Sequence, residues 1–314
     1  MSRPVKPVGL GFGLLGTTNA APITDDSAEK MFAAAWEMGI RRFDTAPLYG
    51  GRLSEERLGR LLRGRSRDDY VLSTKVGRYR GYAATVVNPM NNPGDWHDYS
   101  RDATFRSVEE SLKLLGTDHL DIVFVHDCDA HLSEALTGAL PALTELKAQG
   151  VVGAIGCGSN VAATHLALLQ KIELDVLMVA GRFTLLDQSA ADLLFPFCLE
   201  RGVRVELAAP FNSGILATGP DVEATRFDYQ PPDAALRARV RAIQAICQTE
   251  SVPLKRAALH YSASHPAVTR LVLGLVHREA LRSNLEDLSS PVPDRLWPAL
   301  EPLGIPDPTE SIKR

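Results

Sequence analysis

With 314 residues, 45% of them hydrophobic and 23% charged, the chain has the apolar material for one large core, and a single α/β barrel of this length is ordinary. Its 34 basic and 38 acidic residues are mixed along the sequence for a net charge of −4, which gives no electrostatic case for nucleic acid or an acidic membrane surface. No run is apolar for long enough to be a signal peptide or a membrane span, and Cys128, Cys157, Cys198 and Cys247 form no CxxC pair. The chain therefore reads as a cytoplasmic protein whose thiols are buried in a reducing compartment.

The first feature is GLGFGLLG, residues 9–16, where Gly11, Gly13 and Gly16 spell GxGxxG. A dinucleotide-binding fold needs a helix that opens at those glycines, so that the pyrophosphate rests on its N-terminus. The loop-like TTNAAPITDD follows instead, and helical spacing begins only near Ser27, running through Met31, Ala35 and Met38 to Gly39. A glycine-rich barrel strand at 8–12, its end facing a site, fits better.

Residues 39–64, GIRRFDTAPLYGGRLSEERLGRLLRG, give the clearest local pattern. A strand over 41–45 carries Asp44 at its C-terminal end, a short step reaches Tyr49, and a helix follows with Leu58, Leu61 and Leu62 as its apolar stripe. Ser54 is its expected N-cap, Glu55 and Glu56 suit its first turn, and Gly64 is placed to end it. The basic run Arg63 to Arg67 then lies at the helix C-terminus, where cations are favoured.

Further buried-strand runs occur at 70–75, 120–126, 151–157, 175–180, 203–208 and 269–274, with helical periodicity between them. Phe105, Val108, Leu112 and Leu115 precede Gly116; Leu193, Leu194 and Phe197 precede Gly202; Leu236, Val240, Ile243 and Ile246 precede a second helix entered by Pro253. Pro141 is expected to break the run from Leu132 and to sit near the first turn of a helix ending at Gln149. Eight strand–helix pairs predict a single-domain (β/α)8 barrel, the TIM barrel of the α/β class. Two connections exceed plain turns, 76–101 after strand three and 212–232 after strand seven. Both leave strand C-terminal ends, the face where barrel enzymes carry their sites, and are expected to act as lids or specificity walls. The proline-rich tail, 291–314, is expected to lie back across the same rim.

On that face the topology gathers Asp44, Tyr49, Lys75 at the end of strand three and His126 at the end of strand four. Taken singly, Asp44 could cap a turn, Tyr49 could pack, Lys75 could pair with any carboxylate and His126 could be a satisfied core histidine. Together they make a chemical set. A buried charge survives when paired, so Lys75 is expected beside Asp44. A phenol titrates near ~10 in water, too high for an efficient base, and an adjacent ammonium lowers that value. Tyr49 would then pass a proton to or from a substrate oxygen oriented by His126, while hydride moves to or from a nicotinamide. A Schiff-base lyase with Lys75 as nucleophile is the rival from another class. His126, Asp127 and Asp129 are contiguous, but no second histidine is placed to join them, so no metal site is expected.

The words FDTAPLYG…SEERLG, with Lys75 and His126, resemble the aldo-keto reductases, and the likeness runs from the first strand to roughly Asn284. It implies the roles just given to Asp44, Tyr49, Lys75 and His126, and NAD or NADP as cofactor. GCGSN, 156–160, is similar to the family segment whose Ser and Asn, here Ser159 and Asn160, hold the nicotinamide carboxamide; a plain N-cap at Asn160 is the alternative. AAPFNSGIL, 208–216, would set Phe211 and Ser213 against the pyrophosphate. GLVHREALRSN, 274–284, resembles the adenosine clasp ending in Asn284. The usual basic residues for a ribose 2′-phosphate fall there on Gly274, Val276 and Ala280, with Arg278 and Arg282 as possible substitutes, so NAD is favoured over NADP. The family's aromatic and glutamine partners of the nicotinamide fall on Ala208 and Ala180, leaving Phe183 or Phe211 to help.

Within the family, DYS…RSVEESLKLLGTDHLDIVFVHDCD (98–129) and AGRFTLLDQ (180–188) resemble the bacterial L-fucose, D-threo-aldose and D-arabinose 1-dehydrogenases and pyridoxal 4-dehydrogenase. That likeness implies oxidation of a sugar at C1 to a lactone, with pyridoxal, or a general aldehyde or ketone, as the alternative small-molecule substrate. A wall for sugar hydroxyls is available in Trp96, His97, Asp98, Tyr99, Asp127 and Asp129. A non-enzymatic subunit that keeps the cofactor as a sensor is the remaining reading.

Overall fold

The eight apolar runs form strands within a residue or two of their expected bounds: β1 Val8–Gly11, β2 Arg42–Asp44, β3 Val71–Val76, then, after two short strands, β6 Leu120–His126, β7 Val152–Ser159, β8 Val176–Ala180, β9 Arg204–Ala208 and β10 Val268–Gly274. They close into a parallel barrel in the order β1-β10-β9-β8-β7-β6-β3-β2. This computed structural model describes residues 7–11, 13, 23–80, 94–274 and 277–308; Gly16, Val276, the middle of the first long connection and the last six residues lie outside them. The two short strands, β4 Arg78–Arg80 and β5 Asp95–His97, pair antiparallel as a ribbon within that connection, which sequence spacing did not show. Gly77, at φ +95°, turns the chain out of β3 into it.

Strand alternation decides what fills the barrel. On β2, Phe43 points outward onto Phe32, with ring centroids 5.2 Å apart, while Arg42 and Asp44 point in. Ile122, Phe124, Ala154, Val176, Met178 and Val272 form an apolar plug inside, and Ala208 packs on it.

Two local expectations are corrected. Ser54 does not cap the helix Leu53–Leu62: Arg52 is the cap residue, at φ +74°, and the Ser54 hydroxyl bonds that of Thr45 at 2.8 Å. Pro141 does lie in the first turn of the helix Leu140–Ala148, which ends at Gln149 as expected, but it does not break the run before it. Leu132–Glu134, the π-helical Ala135–Ala139 and Leu140–Ala148 run on continuously, with the Leu140 N–H donating back to the Ala135 carbonyl. The wider π turn absorbs the bond that proline cannot make. The described part of the tail packs Trp297 on Tyr261 of the outer helix Leu254–Ser264, with centroids 5.9 Å apart.

Candidate active site

Asp44, Lys75 and His126 end adjacent strands, and the loop after β2 brings Tyr49 over them. Lys75, 1% exposed, donates from Nζ to Asp44 Oδ2 at 2.5 Å and to the Thr45 carbonyl at 2.9 Å. Its Nζ lies 4.8 Å from the centroid of the Tyr49 ring. His126 meets that ring edge-on, centroids 5.9 Å apart at 87°. A Cβ on Gly13 would approach the Tyr49 ring to 3.3 Å, so the second glycine of the early motif gives the tyrosine its room.

The loop is held from below. Glu55, fully buried, accepts from the Thr74 hydroxyl of β3 at 2.7 Å, from the Ser111 hydroxyl at 2.6 Å and from Arg52 at 2.7 Å. Ser54 donates its N–H to the Tyr49 carbonyl at 3.2 Å. The SEER segment thus ties the loop to β3 and to the helix Arg101–Leu115.

Burial governs the proton affinities here. It pushes the Tyr49 phenol above its ordinary value; Lys75 pulls the other way, and Asp44 adds to the push. The expected lowering by lysine is present but smaller than desolvation, so Tyr49 carries its proton at neutral pH. Burial alone would lower Lys75, yet Asp44 and Tyr49 beside it raise it above its usual value. Burial, then the charges of Lys75 and Arg78, hold His126 well below 6.5, so its imidazole is neutral. His126 Nε2 is 3.5 Å from Asp127 Oδ2, and Nδ1 has no hydrogen-bond partner among the described residues.

At the mouth, Asp127 adopts φ +47° and accepts from Arg78 Nη1 at 2.5 Å. Arg78 also reaches Asp95, which Arg80 grips through both oxygens at 2.6 and 2.8 Å. Trp96, 50% exposed, stacks on Tyr79 with centroids 5.7 Å apart. One member of the expected sugar wall is corrected. Tyr99 is 1% exposed, and its hydroxyl bonds the His126 and Asp127 carbonyls at 2.7 and 2.9 Å, so it supports that turn from beneath. Asp129 accepts from Ser159 and Thr164, each at 2.6 Å, and Asp98 from the Ser100 N–H at 3.0 Å.

The other half of the mouth is lined by very small residues. Gly11 pairs in register with Gly274, and Ala180 with Ala208; a Cβ on Gly158 would meet Met178 Cβ, Phe124 Cβ and Lys75 Cε at 3.7, 3.8 and 3.9 Å. These positions carry no side chain larger than a methyl group at the strand ends, where the resemblance would set a nicotinamide. Asn284 is buried on the helix Arg278–Ser289. Arg278 and Arg282 are exposed on the same helix, Arg278–Ser289, and pair with no described acid. The Ser159 hydroxyl also accepts from the Val161 N–H at 2.9 Å, and the cap residue of the next helix is Val161 rather than Asn160.

Arg182 clamps this region: it bonds the Asn160 carbonyl and pairs with Asp187 and Asp228, each at 2.8 Å. The second long connection is strained where it passes the site. Ala209, Asn212 and Ser213 have φ of +53°, +44° and +62°, and Phe211 packs against the core between them. Asp228 and Tyr229 also lie at positive φ, in a tight turn closed by two bonds between Phe227 and Gln230, and the Tyr229 N–H donates to the Ser213 hydroxyl at 3.1 Å. Tyr229 is 45% exposed, yet the protein around its hydroxyl raises the phenol to about 12, and the Tyr49 and Asp127 charges act the same way, so its hydroxyl end lies near Tyr49 while the rest of the ring meets solvent. Sequence reasoning missed Arg78 and Tyr229; the GRYR and RFDY words around them offered no periodicity to find them by.

Comparison with known proteins bears on the family and the fold. A model of the Aldo/keto reductase family matches residues 7–304. A D-threo-aldose 1-dehydrogenase of a Pseudomonas species is 38% identical over 95% of this chain and 95% of its own. A pyridoxal 4-dehydrogenase of Microbacterium luteolum is 35% identical over 96% and 94%. An aldo-keto reductase structure from Bacillus halodurans has the same fold, with a TM-score of 0.74 at 24% identity over 95% of this chain and 92% of the other.

Proposed function

The chain belongs to the aldo/keto reductase family and is an oxidoreductase, and from that premise we propose that it oxidises an aldose at C1 to a lactone with NAD as the favoured cofactor. The observation that carries the reading is the convergence of Tyr49, His126 and the 2.5 Å Lys75–Asp44 pair at the ends of adjacent strands. When bound, the nicotinamide supplies the hydride acceptor, or in reverse the donor. The protein handles the proton. In oxidation Tyr49 must first give up its own proton to solvent; the tyrosinate then takes the C1 hydroxyl proton as the C1–H bond breaks and C=O forms, and in reduction the protonated Tyr49, the form burial favours, donates that proton to the substrate oxygen. Neutral His126 orients the substrate oxygen, and Lys75, kept charged by Asp44, favours the tyrosinate when the proton has left.

A lysine held charged is a poor nucleophile, which weighs against a Schiff-base lyase. The Arg78–Asp127 pair beside His126 supports a substrate rich in hydroxyls. Half-exposed Trp96 on Tyr79 favours one second reading, a flat substrate of the pyridoxal type. Gly274 and Ala280 put no charge where a 2′-phosphate would lie, which supports NAD.

The test is absorbance at the reduced-nicotinamide band with NAD or NADP against L-fucose, L-galactose, D-arabinose, D-glucose and pyridoxal. Turnover of a sugar with NAD is expected. Signal with pyridoxal alone moves the assignment to the second reading, and silence with cofactor bound overturns the substrate class.

A further inference from the structure

Beneath the tetrad, the inside of the barrel holds a second set of charges that proton transfer does not use. Arg42 lies two residues before Asp44 on β2, hence on the same inward face, and is 1% exposed. Its Nε and Nη2 donate to both oxygens of Glu206 on β9, at 3.0 and 2.6 Å, and Arg270 on β10 stands 3.6 Å from that carboxylate. Its Nη1 donates to the Phe43 carbonyl and to Ser73 Oγ, each at 2.8 Å. Ser73 in turn donates to Asp44 Oδ1 at 2.5 Å, and Asp44 Oδ2 takes Lys75 at 2.5 Å. Gly9 makes the space: a Cβ there would lie 2.8 Å from Arg42 Cγ.

The chain of bonds has one direction. A serine hydroxyl has a single hydrogen, and with Arg42 donating to its oxygen that hydrogen goes to Asp44. One Asp44 oxygen is then taken, and the carboxylate plane is set with the other toward Lys75. A buried ion pair adds little net stability and is often replaceable by apolar side chains, so Arg42–Glu206 calls for another role. We infer that Arg42, clamped by Glu206, is a positioning residue that acts through Ser73 to aim Asp44 at Lys75. The inference rests on the reading of Tyr49 as the acid–base group, and its test separates the two.

The variants are Ser73→Ala, Ser73→Thr and the paired Arg42→Met/Glu206→Leu, which removes both charges and keeps the volume. Each is made in the full chain with NAD bound. The readouts are the ¹H–¹⁵N signal of the Lys75 ammonium, assigned with Lys75→Met, and kcat and KM on the best substrate of the panel. In Ser73→Ala and in the pair, the Lys75 signal should broaden by solvent exchange, and kcat should fall about tenfold with KM within about twofold. Ser73→Thr, which restores the hydroxyl, should recover most of both. An unchanged Lys75 signal in Ser73→Ala and in the pair overturns the inference whatever the rates. A changed signal alongside full turnover by Tyr49→Phe supports the positioning and overturns the acid–base reading instead.

Discussion

Replacing Glu55 by Gln tests how the Tyr49 loop is held. The side chain is 0% exposed; Oε1 accepts from Thr74 and Ser111, and Oε2 accepts from Arg52. Gln keeps the shape and the carbonyl oxygen but presents an NH2 to the guanidinium. The loss is one charge-assisted bond plus a donor facing a donor. Arg52 retains Glu110 at 2.9 Å, so the cost stays below that of a fully orphaned buried charge. A destabilisation of about 2–3 kcal/mol follows. For 314 residues the unfolding entropy is roughly 0.65 kcal/mol/K, so the melting temperature should drop by about 3–5 °C. Calorimetry reads this directly, beside Lys113→Ala, whose exposed pair with Glu109 should leave the melting point where it is. Turnover should fall several-fold at 25 °C, because Ser54 and Thr45 are the next links to Tyr49. A melting point and turnover both equal to the parent would refute the reasoning.

Burial lowers His165 to about 4, and its Nε2 faces the Ser159 carbonyl at 3.2 Å. Below 6.5 the unfolded histidine takes a proton that the folded one refuses, so stability should fall as pH drops from 6.5 toward 4, by about 1.4 kcal/mol per unit for this group. His126, also held neutral by burial, adds a slope of the same sign, so His165→Gln should reduce the slope in denaturant titrations without abolishing it; an equal slope removes His165 as a source. Tyr229 occupies a turn position at φ +65° that disfavours side chains, so Tyr229→Gly should melt no lower than the parent while raising KM several-fold. A KM equal to the parent's would show that Tyr229 does not meet the substrate. Arg278→Ala with Arg282→Ala should weaken NADP binding about tenfold and NAD binding less than about twofold in fluorescence titrations. Equal losses would place these arginines on a part the two cofactors share.

The barrel was legible because parallel strands buried on both faces read as short apolar runs, and topology alone then brings strand ends to one face. Asp44, Lys75 and His126 could be grouped on that basis, and Tyr49 by its place between strand and helix. What stayed hidden depends on partners distant in sequence. Ser54 looks like a cap until Thr45 takes its hydroxyl, and Glu55 looks like a dipole-favouring surface acid until Thr74 and Ser111 bury it. Tyr99 reads as a sugar platform until the turn at His126 and Asp127 closes over its hydroxyl. Arg42 and Glu206 are 164 positions apart, and no spacing announces their contact. The π turn before Pro141 escaped for the opposite reason: the proline signal is strong, and helix continuation depends on one residue of slack behind it.

The central claim is that Tyr49 carries the proton while the nicotinamide carries the hydride. Its most direct test is single-turnover reduction of NAD by the preferred sugar with Tyr49→Phe, beside a fluorescence titration of NAD binding. The account predicts binding within about twofold of the parent and a rate lower by at least about a thousandfold. A rate near that of the parent, with binding intact, would contradict it.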